Sequence, residues 1–98
     1  MVATKTTRWD VVEHLKTEAD MAAYLEACFE EDDPALVADA LGLIARARGM
    51  TQMAKETKLG REGLYKALSP EGNPTLATMF KVTKALGLKL SVSPRKVA

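Results

Sequence analysis

Arg61, Glu62, Tyr65 and Lys66 are the residues of this 98-residue chain best equipped for recognition chemistry. A guanidinium fork matches the two acceptors of guanine, a carboxylate accepts from the amine of cytosine, and an ammonium suits phosphate or guanine. The phenol adds an aromatic face and a hydroxyl. At 3.6 residues per turn, 61, 62, 65 and 66 share one side of a helix while Leu64 and Leu68 share another. The surrounding stretch Met50–Leu68, MTQMAKETKLGREGLYKAL, reads as two short helices, about Thr51–Thr57 and Arg61–Leu68, joined by a turn at Lys58–Gly60. Ala54 supplies a small residue where the helices cross, and Met53, Leu59, Leu64 and Leu68 supply core contacts, as a helix-turn-helix needs. Amphipathic helix pairs without a nucleic-acid partner are common, so spacing alone leaves both readings open.

Other chemistry finds little support. No nucleophile–base–orienter set, glycine-rich phosphate loop or pair of catalytic carboxylates can be assembled, so no enzyme is expected. His14 is the only histidine and Cys28 the only cysteine, which is too few for a metal-ligand set; no metal or cofactor is expected. His14 reads as a surface residue of a short helix, and Cys28 as a small core residue on an apolar helix face. Trp9 suits packing against the domain or, alternatively, anchoring a partner. A lone cysteine cannot form an internal disulfide, which fits a reducing cytoplasm.

The length is one domain's worth. Hydrophobic residues make up 47% and aromatic ones 5%, so the core must be mostly Leu, Ala, Val and Met. No apolar run approaches the roughly 20 residues of a membrane span, and no secretion signal is evident at the N-terminus. The net charge of +1 hides a division. Up to Asp33 there are nine acids and three bases, a balance of −6; from Pro34 on there are eleven bases and four acids, a balance of +7. Such asymmetry points to a nucleic-acid partner, unless the two parts simply neutralise each other across their contact.

The elements that must position these residues follow from caps and periodicity. Asp10 caps a short helix Val11–Lys16. Thr17 with Asp20 resembles a capping box opening a helix Glu18–Glu31 whose inward face is Met21, Ala22, Leu25, Cys28 and Phe29. Asp33 and Pro34 form an N-cap and N1 pair for a helix Pro34–Arg48 that buries Leu36, Val37, Ala40, Leu41, Ile44 and Ala47. Gly49 ends it. After the helix pair comes a turn-rich loop, Ser69–Pro74. Thr75 caps a last helix Leu76–Leu86 with Leu76, Met79, Phe80, Thr83 and Leu86 inward. Residues 88–93 alternate apolar with polar like a half-buried strand, which needs a partner from residues 1–8, a second copy or another protein.

Residues 34–92 resemble the lambda-repressor-like (Xre) helix-turn-helix domains, and the whole chain resembles the addiction-module antidote proteins of the HigA type. The matching pieces are DMAAYLEACFEEDDP, ALGLIARARGMTQMAKE and GREGLYKALSPEGNPTLATMFKVTKALGLKLSV. The resemblance implies an all-α, lambda-repressor-like bundle of about five helices with a short C-terminal β-strand. It divides into an acidic N-terminal helical segment, 1–33, packed on a DNA-binding domain, 34–98. It implies a cytoplasmic DNA-binding protein that represses the promoter it shares with a toxin; because one small domain makes few base contacts, a homodimer reading inverted half-sites on double-stranded DNA is expected. The same protein would act as the antitoxin to a RelE-like toxin. Base contacts carried over fall on Gly60, Arg61, Glu62, Tyr65 and Lys66. Backbone contacts fall on Thr51, Gln52, Lys55, Lys58 and Asn73.

The chain departs from the family pattern in four places. Lys58 stands where the turn usually has glycine, which costs roughly 1 kcal/mol if positive φ is kept. Gly60 replaces the usual Ser or Thr cap, at a few tenths of a kcal/mol. Gly63 stands where Ser is common, at about half a kcal/mol. Thr51–Gln52 lie two residues later than usual relative to Met53–Ala54, which puts the phosphate contact of Gln52 in question. The acids of the N-terminal part, Glu18, Asp20, Glu26 and Glu30–Asp33, suit a basic toxin surface or are a solvated helix face. A stand-alone phage-type repressor and an interaction module without DNA binding remain as alternatives.

Overall fold

Local capping chemistry sets the first boundaries of the fold. The computed structural model describes residues 15–95. Thr17 accepts the Asp20 N–H at 3.1 Å and opens α1, Glu18–Phe29, whose first turn carries Glu18 and Asp20. Acids there face the positive end of the helix dipole. Met21, Leu25 and Cys28 are buried; they follow at i, i+4 and i+7, one stripe of the helix. Ala22 and Phe29 were expected inward but lie at the edge of that stripe, and Phe29 is 44% exposed. The helix ends two residues earlier than expected because the chain turns through Asp32, which adopts a φ of 55°.

Asp33 then accepts the Ala35 N–H at 3.0 Å and Pro34 begins α2, Pro34–Arg48. This helix is the centre of the fold, buried on nearly all sides from Val37 to Ala45. Its last turn, Arg46–Arg48, projects into solvent, so Ala47 is exposed rather than buried. Gly49, at a φ of 115°, both ends α2 and starts α3, Met50–Thr57. After a three-residue turn comes α4, Arg61–Ala67, and after the 68–75 loop comes α5, Leu76–Ala85. Thr75 caps α5 by accepting the Thr78 N–H at 3.1 Å.

The buried stripe of α5 differs from the one expected. Val82, Thr83 and Leu86 are buried with Met79 packed against them, while Leu76 is 68% and Phe80 53% exposed. A ten-residue helix with apolar residues on two adjoining stripes has two possible inward faces, and packing on α3 selects 79/82/83/86. The Thr83 hydroxyl is accommodated inside by donating to the Met79 carbonyl at 2.8 Å. The helix closes with Gly87 at a φ of 77°, the Gly87 N–H on Lys84 O and the Leu88 N–H on Thr83 O, the paired bonds of a Schellman end.

Among the described residues all regular structure is helical. The expected strand 88–93 is not formed in the single chain, because nothing in the described residues supplies a neighbouring edge; the segment 88–95 runs without regular structure. Most of the expected helix Val11–Lys16, with Trp9 and His14, lies outside the described residues; Leu15 and Lys16 are not helical. The core gathers Leu41, Ile44, Met53, Leu64, Leu68, Val82 and Leu86, all 2% exposed or less.

Candidate nucleic-acid interface

Thr57 holds the turn between α3 and α4. Its side chain is buried, donates to the Met53 carbonyl at 2.7 Å and accepts the Leu59 N–H at 3.3 Å. One hydroxyl thereby joins the last turn of α3 to the connection that follows. Lys58 sits in the left-handed region, φ 62° and ψ 19°, so the departure from glycine carries its cost of about 1 kcal/mol. Gly60 caps α4 with no side-chain bond, and its carbonyl accepts the Leu64 N–H at 2.9 Å.

Two leucines and one glycine fix the attitude of α4. Leu64 and Leu68 are fully buried. Gly42, inside α2, lies so close that a Cβ built on it would overlap the Leu68 carbonyl oxygen. The backbone at the end of α4 therefore rests directly on α2. The opposite side of α4 is free of the core: Gly60, Arg61, Glu62, Gly63, Tyr65 and Lys66 are all exposed. The five expected base-contact residues share this surface.

A neighbour joins them that the sequence did not reveal. The guanidinium carbon of Arg46, from the end of α2, lies 5.3 Å from the centroid of the Tyr65 ring, and that of Arg61 lies 5.9 Å from it. Cations within about 6 Å of an aromatic centroid are attracted by the ring quadrupole. Tyr65 is thus within cation–π reach of two arginines, one local and one from another helix. Only the basic last turn of α2 hinted at Arg46, and its partner lies nineteen positions away in the chain.

The expected backbone contacts divide into three groups. Thr51, Gln52 and Lys55 are exposed on α3, where Gln52 donates its side-chain amide to Glu56 at 2.8 Å. That bond uses one of the two amide donors. Lys58 lines a groove of about 490 Å³ with Lys81 and Lys84 of α5, beside Glu56. Asn73 is set apart from these, in a cleft whose wall includes Asp32 and Asp33. Among the described residues no group of His, Cys, Asp or Glu could hold a metal ion. Cys28 is a buried, free thiol; burial pushes its pKa up, and a hydrogen bond with Tyr24 acts against that rise.

The family model for "probable addiction module antidote protein" matches residues 5–94. The chain belongs to this family. Membership gives it an antitoxin role and a toxin as partner. An uncharacterized protein of Haemophilus influenzae is 50% identical to this antidote over 90 residues, covering 92% of the chain and 93% of the relative. No solved structure matches it. No described helix of the antidote is long and apolar enough to cross a membrane.

Proposed function

We propose that the chain is a sequence-specific DNA-binding repressor of the lambda-repressor-like, HigA-type class. It silences its own promoter and neutralises a RelE-like toxin. The observation that carries this reading is the outward face of α4, where Arg61, Glu62, Tyr65 and Lys66 stand exposed opposite the buried Leu64 and Leu68. A short helix anchored on one side and armed on the other is the part that enters a major groove.

In this reading Arg61 forms the bidentate pair with guanine, worth about 1–3 kcal/mol of discrimination. Glu62 accepts from a cytosine amine, and the Tyr65 ring lies against base edges. Lys66, Lys55 and the lysines beside Lys58 meet phosphates, which adds affinity without sequence information and makes binding salt-dependent. One domain of this size makes few base contacts, so a homodimer reads inverted half-sites about 34 Å apart. The acidic segment before Pro34 is kept off the DNA and offered to the basic toxin.

The test is a gel shift with the region upstream of the chain's own gene. The wild-type chain retards that fragment in preference to unrelated DNA. Arg61→Ala abolishes the preference while most of the salt-sensitive, non-specific binding survives. An Arg61→Ala variant that chooses its operator as the wild type does would remove α4 from the recognition role. Growth rescue on co-expression with the product of the adjoining reading frame tests the toxin.

A further inference from the structure

A cleft of about 370 Å³ separates the corner between α1 and α2 from the loop that leads into α5. Phe29, Val37, Pro74 and Met79 give it apolar walls, and Asp32 and Asp33 stand on its border. Met79 is flanked on α5 by Leu76 and Phe80, three residues before and one after. Phe29, Leu76 and Phe80 are three of the five large hydrophobic side chains that the described residues expose. Of these only Phe29 lines the cleft itself, beside the apolar Val37, Pro74 and Met79; an apolar cleft with an exposed aromatic wall suits an interaction site. Tyr65, a fourth, belongs to the α4 face.

The charge around the cleft indicates what it takes. Glu30, Glu31, Asp32 and Asp33 follow one another through the corner, all exposed. The chain's own Arg95 already reaches this border, with a guanidinium nitrogen 3.5 Å from Asp32 Oδ1. Both side chains of that pair are largely exposed, so the contact is weak and exchangeable. The cleft border thus draws in a cation, and what holds it there now is easily displaced.

We propose that this cleft is the docking site for a segment of the partner protein that presents a bulky apolar side chain beside a lysine or arginine. The apolar side chain enters between Phe29 and Met79, and the cation takes the place of Arg95 on Asp32. The inference rests on the antidote reading for the nature of the partner, a toxin. A second copy fits less well: a two-fold contact sets the same patch against itself, and here that brings the acidic corners together. Nucleic acid is disfavoured because its phosphates would meet Asp32 and Asp33.

The full chain, labelled with nitrogen-15, is titrated with a short peptide alternating leucine with lysine, and with its counterpart carrying glutamate for lysine. The lysine peptide is expected to give saturable shifts at the amides of 29–38 and 72–79, and the glutamate peptide none. Asp32→Asn keeps a residue type that tolerates positive φ and is expected to weaken the lysine peptide several-fold, less so in high salt. Phe29→Ala, confirmed folded by its spectrum, is expected to weaken it at least about fivefold. Equal binding of both peptides, shifts centred elsewhere, or no saturation overturns the proposal. So does sedimentation showing a dimer that Phe29→Ala or Phe80→Ala dissolves, since the surface would then belong to a second copy. Growth rescue on co-expression with the product of the adjoining reading frame reports on the toxin reading, while the peptide titration reports on the cleft, so failure of either is seen separately.

Discussion

The guanidinium of Arg46, at the end of α2, lies over the ring of Tyr65 on α4. The contact ties the exposed face of α4 to the most buried helix of the fold. It also sets a second arginine beside the residues proposed to read bases. Exposed cation–π pairs are worth about 0.5–1 kcal/mol. Arg46→Ala and Tyr65→Leu are therefore expected to couple by about that amount in a double-mutant cycle on chemical denaturation. Additive single-variant effects would show the pair to be idle.

Two glycines on neighbouring helices should respond oppositely to alanine. A methyl at Gly42 meets the Leu68 carbonyl oxygen, and backbone cannot rotate away as a side chain can. Gly42→Ala is expected to cost at least about 1–3 kcal/mol, the range for overpacked cores. A methyl at Gly63 meets nothing within 4 Å, so Gly63→Ala should stabilise by about 0.5–1 kcal/mol. Denaturant midpoints of the two variants decide the matter.

The turn before α4 joins one well-made contact to one costly residue. Thr57→Val removes the hydroxyl that bridges Met53 O and the Leu59 N–H and is expected to cost about 1–3 kcal/mol. Lys58→Gly relieves the left-handed lysine and should recover about 1 kcal/mol. With Lys58, Gly60 and Gly63 all weakening this region, amides in 59–66 are expected to exchange faster than those in 36–44. Equal protection of the two segments would contradict this account of α4.

Burial raises the pKa of Cys28 above the ordinary thiol value. The folded state then holds its proton where the unfolded chain has released it. Stability from this group is intact below about the unfolded pKa and declines as pH rises beyond it. Native Cys28 should resist alkylation at neutral pH and react once denaturant unfolds the chain. Its reaction under native conditions at the rate of a free thiol would show that α1 opens readily from α2.

The parts of this fold governed by near neighbours were readable in the chain. Thr17, Asp33 with Pro34, Gly49 and Thr75 each mark a boundary through bonds spanning a few residues, and each boundary is found there. The outward placement of Arg61, Glu62, Tyr65 and Lys66 followed from period alone, with Leu64 and Leu68 as the counterweight. What needed distant partners was not readable. The inward face of α5 depends on α3, so Leu76 and Phe80 were placed inside when they are exposed. Arg46 meets Tyr65 across two helices, α2 and α4, that are far apart in the chain. That Asn73 shares a cleft with Asp32 and Asp33 likewise depends on the fold.

The meeting of Gly42 with the Leu68 carbonyl has a consequence for how such a protein can change. The pose of α4 is fixed by main-chain atoms and by two leucines, none of which lies on its outer surface. Positions 61, 62 and 66 can therefore be exchanged with little effect on how the helix is held, whereas Tyr65 carries the tie to Arg46. A lineage with this architecture is free to vary the outward chemistry of that surface by drift, without first rebuilding the scaffold beneath it.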